Sequence, residues 1–365
     1  MVLFAHCAVA LPRLLIAAMI YRNFPTSNNR LNVVSIGGGT GLATLLSGLK
    51  HFVGESYDDF PEIQSLSAIV AVTDDGGSSG RLRDELQMLP PGDIRNCMVA
   101  LSEDSTLLSR LFKYRFRGEG ELGGHSFGNL FLAALTEISG GDFAEAVRHA
   151  SEVLAIKGEI FPATDCDVRL VAEMVDGSLV RGESNITAAN SIVKNMWLEP
   201  ERCSPLPEAL EAIASADVIT LGPGSLFTSL LPPLLVEEMA EAIAETSATK
   251  IFICNLMTQP GETDNFTSAQ HLEKVKEYAP VIDFDYVVVN NREISAEQTA
   301  AYAAEGAHQI GLGDSLSPVL RGRSVELIRA DLLDAGEKVR HNPEKLAQVV
   351  LDCAVKAQFE QLAAF

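Results

Sequence analysis

The chain has 365 residues, 47% of them hydrophobic, and 49 acidic against 28 basic side chains give it a formal net charge of -21. That length suits one large α/β domain or two ordinary ones, at roughly 100 to 200 residues each. The charge argues against nucleic acid or an anionic membrane surface as partner, because both are held by clustered Lys and Arg. An anionic small ligand must therefore be met by local arginines and backbone donors.

In chain order, Met1 to Ile20 is apolar, but Pro12 and Arg13 split it into runs shorter than the roughly 18 to 20 residues that span a bilayer. Tyr21 to Arg30 reads as a polar linker. Residues 1–30 are expected to be a dispensable, poorly ordered extension, with a peripheral anchor as the alternative. Residues 31–365 are expected to form a single α/β domain.

A strand over Val33 to Ile36 leads into Gly37-Gly-Gly-Thr-Gly-Leu42 and a helix to Lys50. Glycine lets backbone N–H groups approach a phosphate, and the next helix adds its positive end. Only the first two glycines of G-x-G-x-x-G match, so the loop is a variant of the dinucleotide fingerprint, with Gly38, Gly39 and Thr40 as candidate contacts. A second strand, Ala68 to Val72, ends in Thr73-Asp-Asp-Gly-Gly-Ser-Ser-Gly-Arg81, the make-up of an anion or nucleotide site. Asp74 and Asp75 stand where such folds place the acid that binds ribose hydroxyls. They would alternatively hold a hydrated Mg²⁺ or stabilise the turn. Ser78, Ser79 and Arg81 complete that loop.

Pro90-Pro-Gly-Asp-Ile-Arg-Asn96 opens a helix with Asp93 placed to cap it. From there to Ala155 the apolar spacing predicts a helical insertion, including Leu107 to Phe116, Leu130 to Ile138 and Phe143 to Leu154. Within it, Gly123-Gly-His-Ser-Phe-Gly-Asn129 sets His125, Ser126 and Asn129 at a helix start, where His125 is a phosphate contact, a base or a structural cap. Asp176-Gly177 predicts a hairpin between Val168 to Val175 and Ser178 to Arg181.

The α/β rhythm then returns with strands at Asp217 to Leu221, Lys250 to Cys254, Tyr286 to Val289 and Glu326 to Ala330, and a closing helix from Pro343 to Leu362. Continuous apolar runs suit a parallel sheet covered on both faces. After the first of these strands, Gly222-Pro-Gly-Ser-Leu-Phe-Thr-Ser229 offers Gly222, Gly224, Ser225 and Thr228 at the sheet's carboxyl end, where open α/β folds bind ligands. Ser225 would equally cap a helix. Asn255, Thr258, Gln259 and Glu262 follow the next strand. Six scattered cysteines, Cys7, Cys97, Cys166, Cys203, Cys254 and Cys353, form no C-x-x-C pair and suggest a reducing cytoplasm without a zinc site. The chain has no G-x-S-x-G elbow and no G-x-x-x-x-G-K-[ST] loop.

Together Gly37-Gly-Gly-Thr-Gly-Leu, Thr73-Asp-Asp-Gly-Gly-Ser-Ser-Gly-Arg-Leu-Arg, Pro90-Pro-Gly-Asp-Ile-Arg-Asn, Gly124-His-Ser-Phe-Gly-Asn, Leu221-Gly-Pro-Gly-Ser-Leu-Phe-Thr-Ser and Asn255-Leu-Met-Thr-Gln-Pro-Gly-Glu-Thr closely resemble the bacterial YvcK-type gluconeogenesis factors of the CofD-like superfamily. The resemblance runs from about Val33 to His341. It implies a Rossmann-like core and a cytoplasmic regulator that binds UDP-sugars, notably UDP-N-acetylglucosamine. Such a regulator adjusts carbon flow into peptidoglycan precursors through a partner such as glucosamine-6-phosphate synthase, and supports cell shape on gluconeogenic carbon sources. It further implies that Tyr302 and Arg340 contact the ligand and, with the loops, that Asn96 belongs to the site. The position at which some members carry a phosphorylated threonine is Pro343 here, so that control is excluded.

The expected fold is thus α/β, a Rossmann-like three-layer core with a parallel sheet, a helical insertion and a small hairpin addition. The leading expectation is a UDP-sugar-binding regulator without turnover. The alternatives are a CofD-like, Mg-dependent transferase acting on a phosphorylated substrate through Asp74 and Asp75, and an NAD-dependent oxidoreductase resting on the glycine loop alone.

Overall fold

The computed structural model of the protein describes residues 30–55, 60–103, 107–189, 191–311 and 325–363. The expectations for the N-terminal extension fall outside them. The chain first runs through β1 (Arg30–Gly37), α1 (Gly39–Leu49), β2 (Glu62–Val70), α2 (Gly77–Leu86), α3 (Gly92–Leu101), α4 (Leu107–Lys113), α5 (Phe127–Ile138), α6 (Phe143–Leu154) and β3 (Glu159–Pro162). An antiparallel excursion follows, with β4 (Arg169–Met174), β5 (Leu179–Arg181), α7 (Glu183–Ala188) and β6 (Val193–Glu199). The remainder comprises α8 (Pro207–Ala214), β7 (Val218–Leu221), α9 (Leu231–Leu234), α10 (Met239–Glu245), β8 (Thr249–Ile253), α11 (Ser268–Tyr278), β9 (Tyr286–Asn290), α12 (Ala296–Ala304), β10 (Glu326–Ala330) and α13 (Pro343–Ala363).

Seven strands form one sheet in the order β10-β9-β8-β7-β1-β2-β3, every neighbouring pair parallel. Counted within that sheet, the order is the 3-2-1-4-5-6 of dinucleotide-binding folds with one strand added. Every residue of β7, β8 and β9 is buried, as strands covered by helices on both faces require. Helix α1 packs against both α3 and α13. Gly48 makes the second contact possible, because a Cβ there would overlap the Pro343 carbonyl. The second sheet, β5-β4-β6, is antiparallel. Its Leu170 and Met196 join the same hydrophobic cluster as Ile36, Phe112, Phe252 and Val350.

The α/β class, the hairpin and the closing helix match the expectation. Gly177 adopts φ +85° in the turn and Asp176 accepts from the Ser178 N–H at 2.9 Å. Local sequence also sets several helix starts. Ser295 with Gln298 and Thr267 with Gln270 form capping boxes on α12 and α11, each satisfying two N–H groups that the helix leaves open. Ser225 accepts from the Thr228 N–H at 3.4 Å, opening a π turn over Leu226–Leu230. One expectation is corrected. Asp93 does not cap its own helix; the N-cap of α3 is Pro91, and the Asp93 carboxylate instead accepts from the Gly39 N–H of α1 at 2.7 Å. Strands β3 and β6 and helix α7 were not foreseen as separate elements.

Candidate functional site

Strand β1 lies between β2 and β7, so the connections leaving β1 and β7 diverge and open a crevice at the carboxyl end of the sheet. The two loops touch. A Cβ on Gly41 would overlap the Pro223 carbonyl, and Gly222 takes φ +90° before a cis peptide to Pro223. A cleft of about 550 Å³ opens above them. Gly38, Gly39, Thr40, Gly224, Ser225, Thr228, Asn255, Thr258, Gln259, Tyr302 and Arg340, all expected site residues, line it. Gly222 shapes the second loop without lining the cleft.

Several of these side chains build the cleft. Asn255 binds both sides of one residue, its Oδ1 accepting from Gly224 N–H at 3.0 Å and its Nδ2 donating to Gly224 O at 2.7 Å. The Ser225 hydroxyl donates to Glu262 Oε2 at 2.6 Å and the Thr187 hydroxyl to Glu262 Oε1 at 3.0 Å. Thr258 Oγ1 accepts from His308 N–H at 2.8 Å. The Tyr302 hydroxyl accepts from Val339 N–H at 3.1 Å, tying α12 to the segment that carries Arg340. Arg340 itself is exposed and makes no ion pair among the described residues.

The sequence reading missed Glu183 and Thr187 of α7, and His341, which also line the cleft. No spacing signals them, because they arrive from the antiparallel excursion and from the approach to α13. Burial, then the neighbouring Asp93 and Asp74, pushes the Glu183 carboxyl up to about 9. Glu262 is also raised, mainly by burial. Half-buried Asp93 is raised to about 6 by desolvation and then by Asp74. Desolvation and mutual repulsion keep a carboxyl neutral, so at neutral pH Glu183 carries a proton. The acidic lining therefore presents less negative charge than its composition suggests.

Eight expected residues, Asp74, Asp75, Ser78, Ser79, Arg81, Asn96, His125 and Asn129, do not line this cleft. They gather beside it around the start of α2. Arg95 Nε donates to Asn129 Oδ1 at 3.2 Å, and Asn129 Nδ2 donates to Ser78 Oγ at 3.1 Å. The Ser78 hydroxyl is left to donate to His125 Nδ1, 2.9 Å away. Burial, then Arg81, lowers the His125 pKa and keeps the ring neutral. Arg81 donates to Gly123 O at 2.7 Å, Asn96 donates to Asp93 at 3.5 Å, and Ser79 sits against Gly92. Asp74 accepts from Gly76 N–H at 2.9 Å, whereas Asp75 accepts from Ser184 N–H at 2.8 Å. Each carboxylate thus has one oxygen held by the backbone. Among the described residues no group of three or more His, Cys, Asp or Glu side chains is arranged to hold a metal.

A groove of about 640 Å³ lies along β3 and α6, lined by Asp142, Glu145, Glu152, Glu159 and Glu208. Its one arginine, Arg148, is paired with Glu145 at 2.9 Å. It lies away from the loop ends and suits an anion poorly. Among the described residues no helix is long and apolar enough to cross a membrane, and Cys97, Cys166, Cys203, Cys254 and Cys353 are free thiols.

Comparison with known proteins agrees with this architecture. Residues 33–333 match the family model of the 2-phospho-L-lactate transferase CofD. The gluconeogenesis factor of Halalkalibacterium halodurans is 44% identical over 321 residues, covering 88% of this chain and 96% of that protein. The gluconeogenesis factor of Bacillus subtilis is 42% identical over 321 residues, 88% of this chain and 97% of its own. A crystal structure of a Bacillus halodurans protein superimposes with a TM-score of 0.81 at 44% identity, covering 88% of this chain and 99% of that one. The chain belongs to the CofD family and, within it, to the gluconeogenesis factors.

Proposed function

We propose that the protein is a cytoplasmic regulator that binds a nucleotide sugar, with UDP-N-acetylglucosamine as its ligand. The observation that carries this reading is the convergence, in one cleft, of two glycine loops, an unpaired arginine and an aromatic ring. The Thr40 and Gly41 amides lie in the first turn of α1, where N–H groups lack helical partners and favour an anion. Arg340 binds diphosphate oxygens through its forked donors, and the half-buried Tyr302 ring offers a stacking face to uracil or sugar. As a gluconeogenesis factor, the protein in this reading adjusts carbon flow into peptidoglycan precursors, acting through an enzyme such as glucosamine-6-phosphate synthase, and supports cell shape on gluconeogenic carbon sources.

Titration calorimetry with UDP-N-acetylglucosamine, UDP-glucose, GTP and NAD, with and without Mg²⁺, tests it. Selective binding of UDP-sugars that survives chelation is the expected outcome. No heat with either UDP-sugar sinks the reading, and an NAD-only response favours an oxidoreductase.

One observation favours a transferase as the second reading. Asp74, Asp93 and Glu183 are electrostatic neighbours beside the first glycine loop, and the matching family model is that of a transferase. A Mg²⁺-dependent product that disappears in Asp74→Asn and Asp93→Asn supports it; no product across nucleotide donors removes it.

A further inference from the structure

The cleft divides by hydrogen-bonding sense. On the β1 and β7 side it presents donors, the first-turn amides of α1. On the β8 side two acceptors stand without a partner: Gln259 Oε1 and His341 Nε2, both buried and both on residues that line the cleft. His341 is only 8% exposed. Its hydrogen bond to the Cys254 backbone must use Nδ1, because Nε2 has no partner. Nδ1 then carries the ring hydrogen toward the carbonyl and Nε2 keeps a lone pair. Burial lowers this histidine's pKa to about 4, which keeps that lone pair free at neutral pH. Hydroxyls that would satisfy such acceptors are engaged elsewhere, since Ser225 and Thr187 both donate to Glu262.

A buried acceptor left open costs stability, and a side chain kept only for packing would be apolar. Two unpartnered acceptors on residues that line one cleft are the complement of a ligand rich in N–H and O–H groups. We propose that His341, with Gln259 beside it in the lining, forms an acceptor subsite that receives a hydrogen-bond donor of the bound ligand and so selects a nucleotide sugar over a bare anion. The inference rests on the nucleotide-sugar reading and adds the residue that discriminates. The donor is an O–H or N–H, from either the glycosyl unit or the nucleoside base.

The test is calorimetry with UDP-N-acetylglucosamine and with UDP on the full chain, comparing wild type, His341→Phe, His341→Gln and Gln259→Leu. His341→Phe removes the acceptor while keeping an aromatic ring, and should weaken UDP-N-acetylglucosamine about tenfold. His341→Gln restores an acceptor and should recover most of that loss. If UDP binding is unchanged, the donor lies on the glycosyl unit; if UDP weakens equally, it lies on the nucleoside. Should His341→Phe prove unstable by thermal melting, Gln259→Leu reports on the same subsite with an expected loss of about threefold. Wild-type affinity retained in both His341→Phe and Gln259→Leu, or a His341→Gln variant as weak as His341→Phe, overturns the acceptor role and leaves the nucleotide-sugar reading standing. Failure of wild type to bind either ligand removes that reading itself.

Discussion

Two glycine-rich loops follow neighbouring parallel strands, yet they do opposite things. The loop after β1 faces the cleft with backbone amides, whereas the loop after β2 turns its polar groups on one another. Arg95, Asn129, Ser78 and His125 form a linear chain of hydrogen bonds, and Asp75 secures the start of α7. Composition marks both loops as ligand sites, but Ser78, Arg81, Asp74 and Asp75 of the loop after β2 bond to protein groups, whereas the loop after β1 lines the cleft. The start of α3 acts as scaffold for the loop after β1: Asp93 fixes the Gly39 amide.

Four perturbations sharpen that contrast. The largest effect is expected from Gly41→Ala, whose Cβ would overlap the Pro223 carbonyl. Forcing the β1 and β7 loops apart should lower unfolding stability by roughly 2 kcal/mol or more and abolish UDP-sugar binding, measured by denaturant melts and calorimetry. Wild-type stability in this variant means the loops do not touch as described. Next, Arg340→Ala should weaken nucleotide-sugar binding by about 10- to 100-fold, the value of a charge-assisted hydrogen bond, with the melting temperature nearly unchanged because the side chain is exposed.

Ser78→Ala reverses the pattern. It removes the link between Asn129 and His125 and should cost about 1 to 2 kcal/mol of stability while ligand affinity stays within about twofold. A selective loss of affinity would move the loop after β2 into the binding site. The smallest effect concerns pH. The Glu183 carboxyl titrates near 9 in the folded protein, against 4.5 for an ordinary glutamate, so between those values the folded state binds the extra proton. Stability therefore falls as pH rises through that window. In Glu183→Gln the decline from pH 6 to 9 should be shallower, as followed by chemical denaturation; an unchanged slope assigns the proton elsewhere.

Much of the fold was legible because its signals are local. The apolar runs of β7, β8 and β9, the Asp176-Gly177 turn and the Ser225 cap act within a few residues. Strand β3 escaped because four residues ending in Pro162 at a sheet edge carry little pattern. Asp93 misled for a related reason: its position suits a cap, but its partner lies 54 residues away. In the site, loop residues adjoining strands were readable, while Glu183, Thr187 and His341 were not. Their presence depends on how the small sheet and the last helix dock, which no spacing encodes. Tyr302 and Arg340 entered through family resemblance, and the structure brings both to the cleft.

The double clasp of Asn255 on Gly224 has a kinetic meaning. One amide side chain holds both the N–H and the carbonyl of Gly224 in the loop after β7, so that loop is already set before any ligand arrives. Binding then needs little loop ordering, and association should be limited by encounter and orientation rather than by rearrangement. Asn255→Asp, which trades the donor for a second acceptor facing Gly224 O, would free the loop and slow the capture of ligand even where the final contacts are the same.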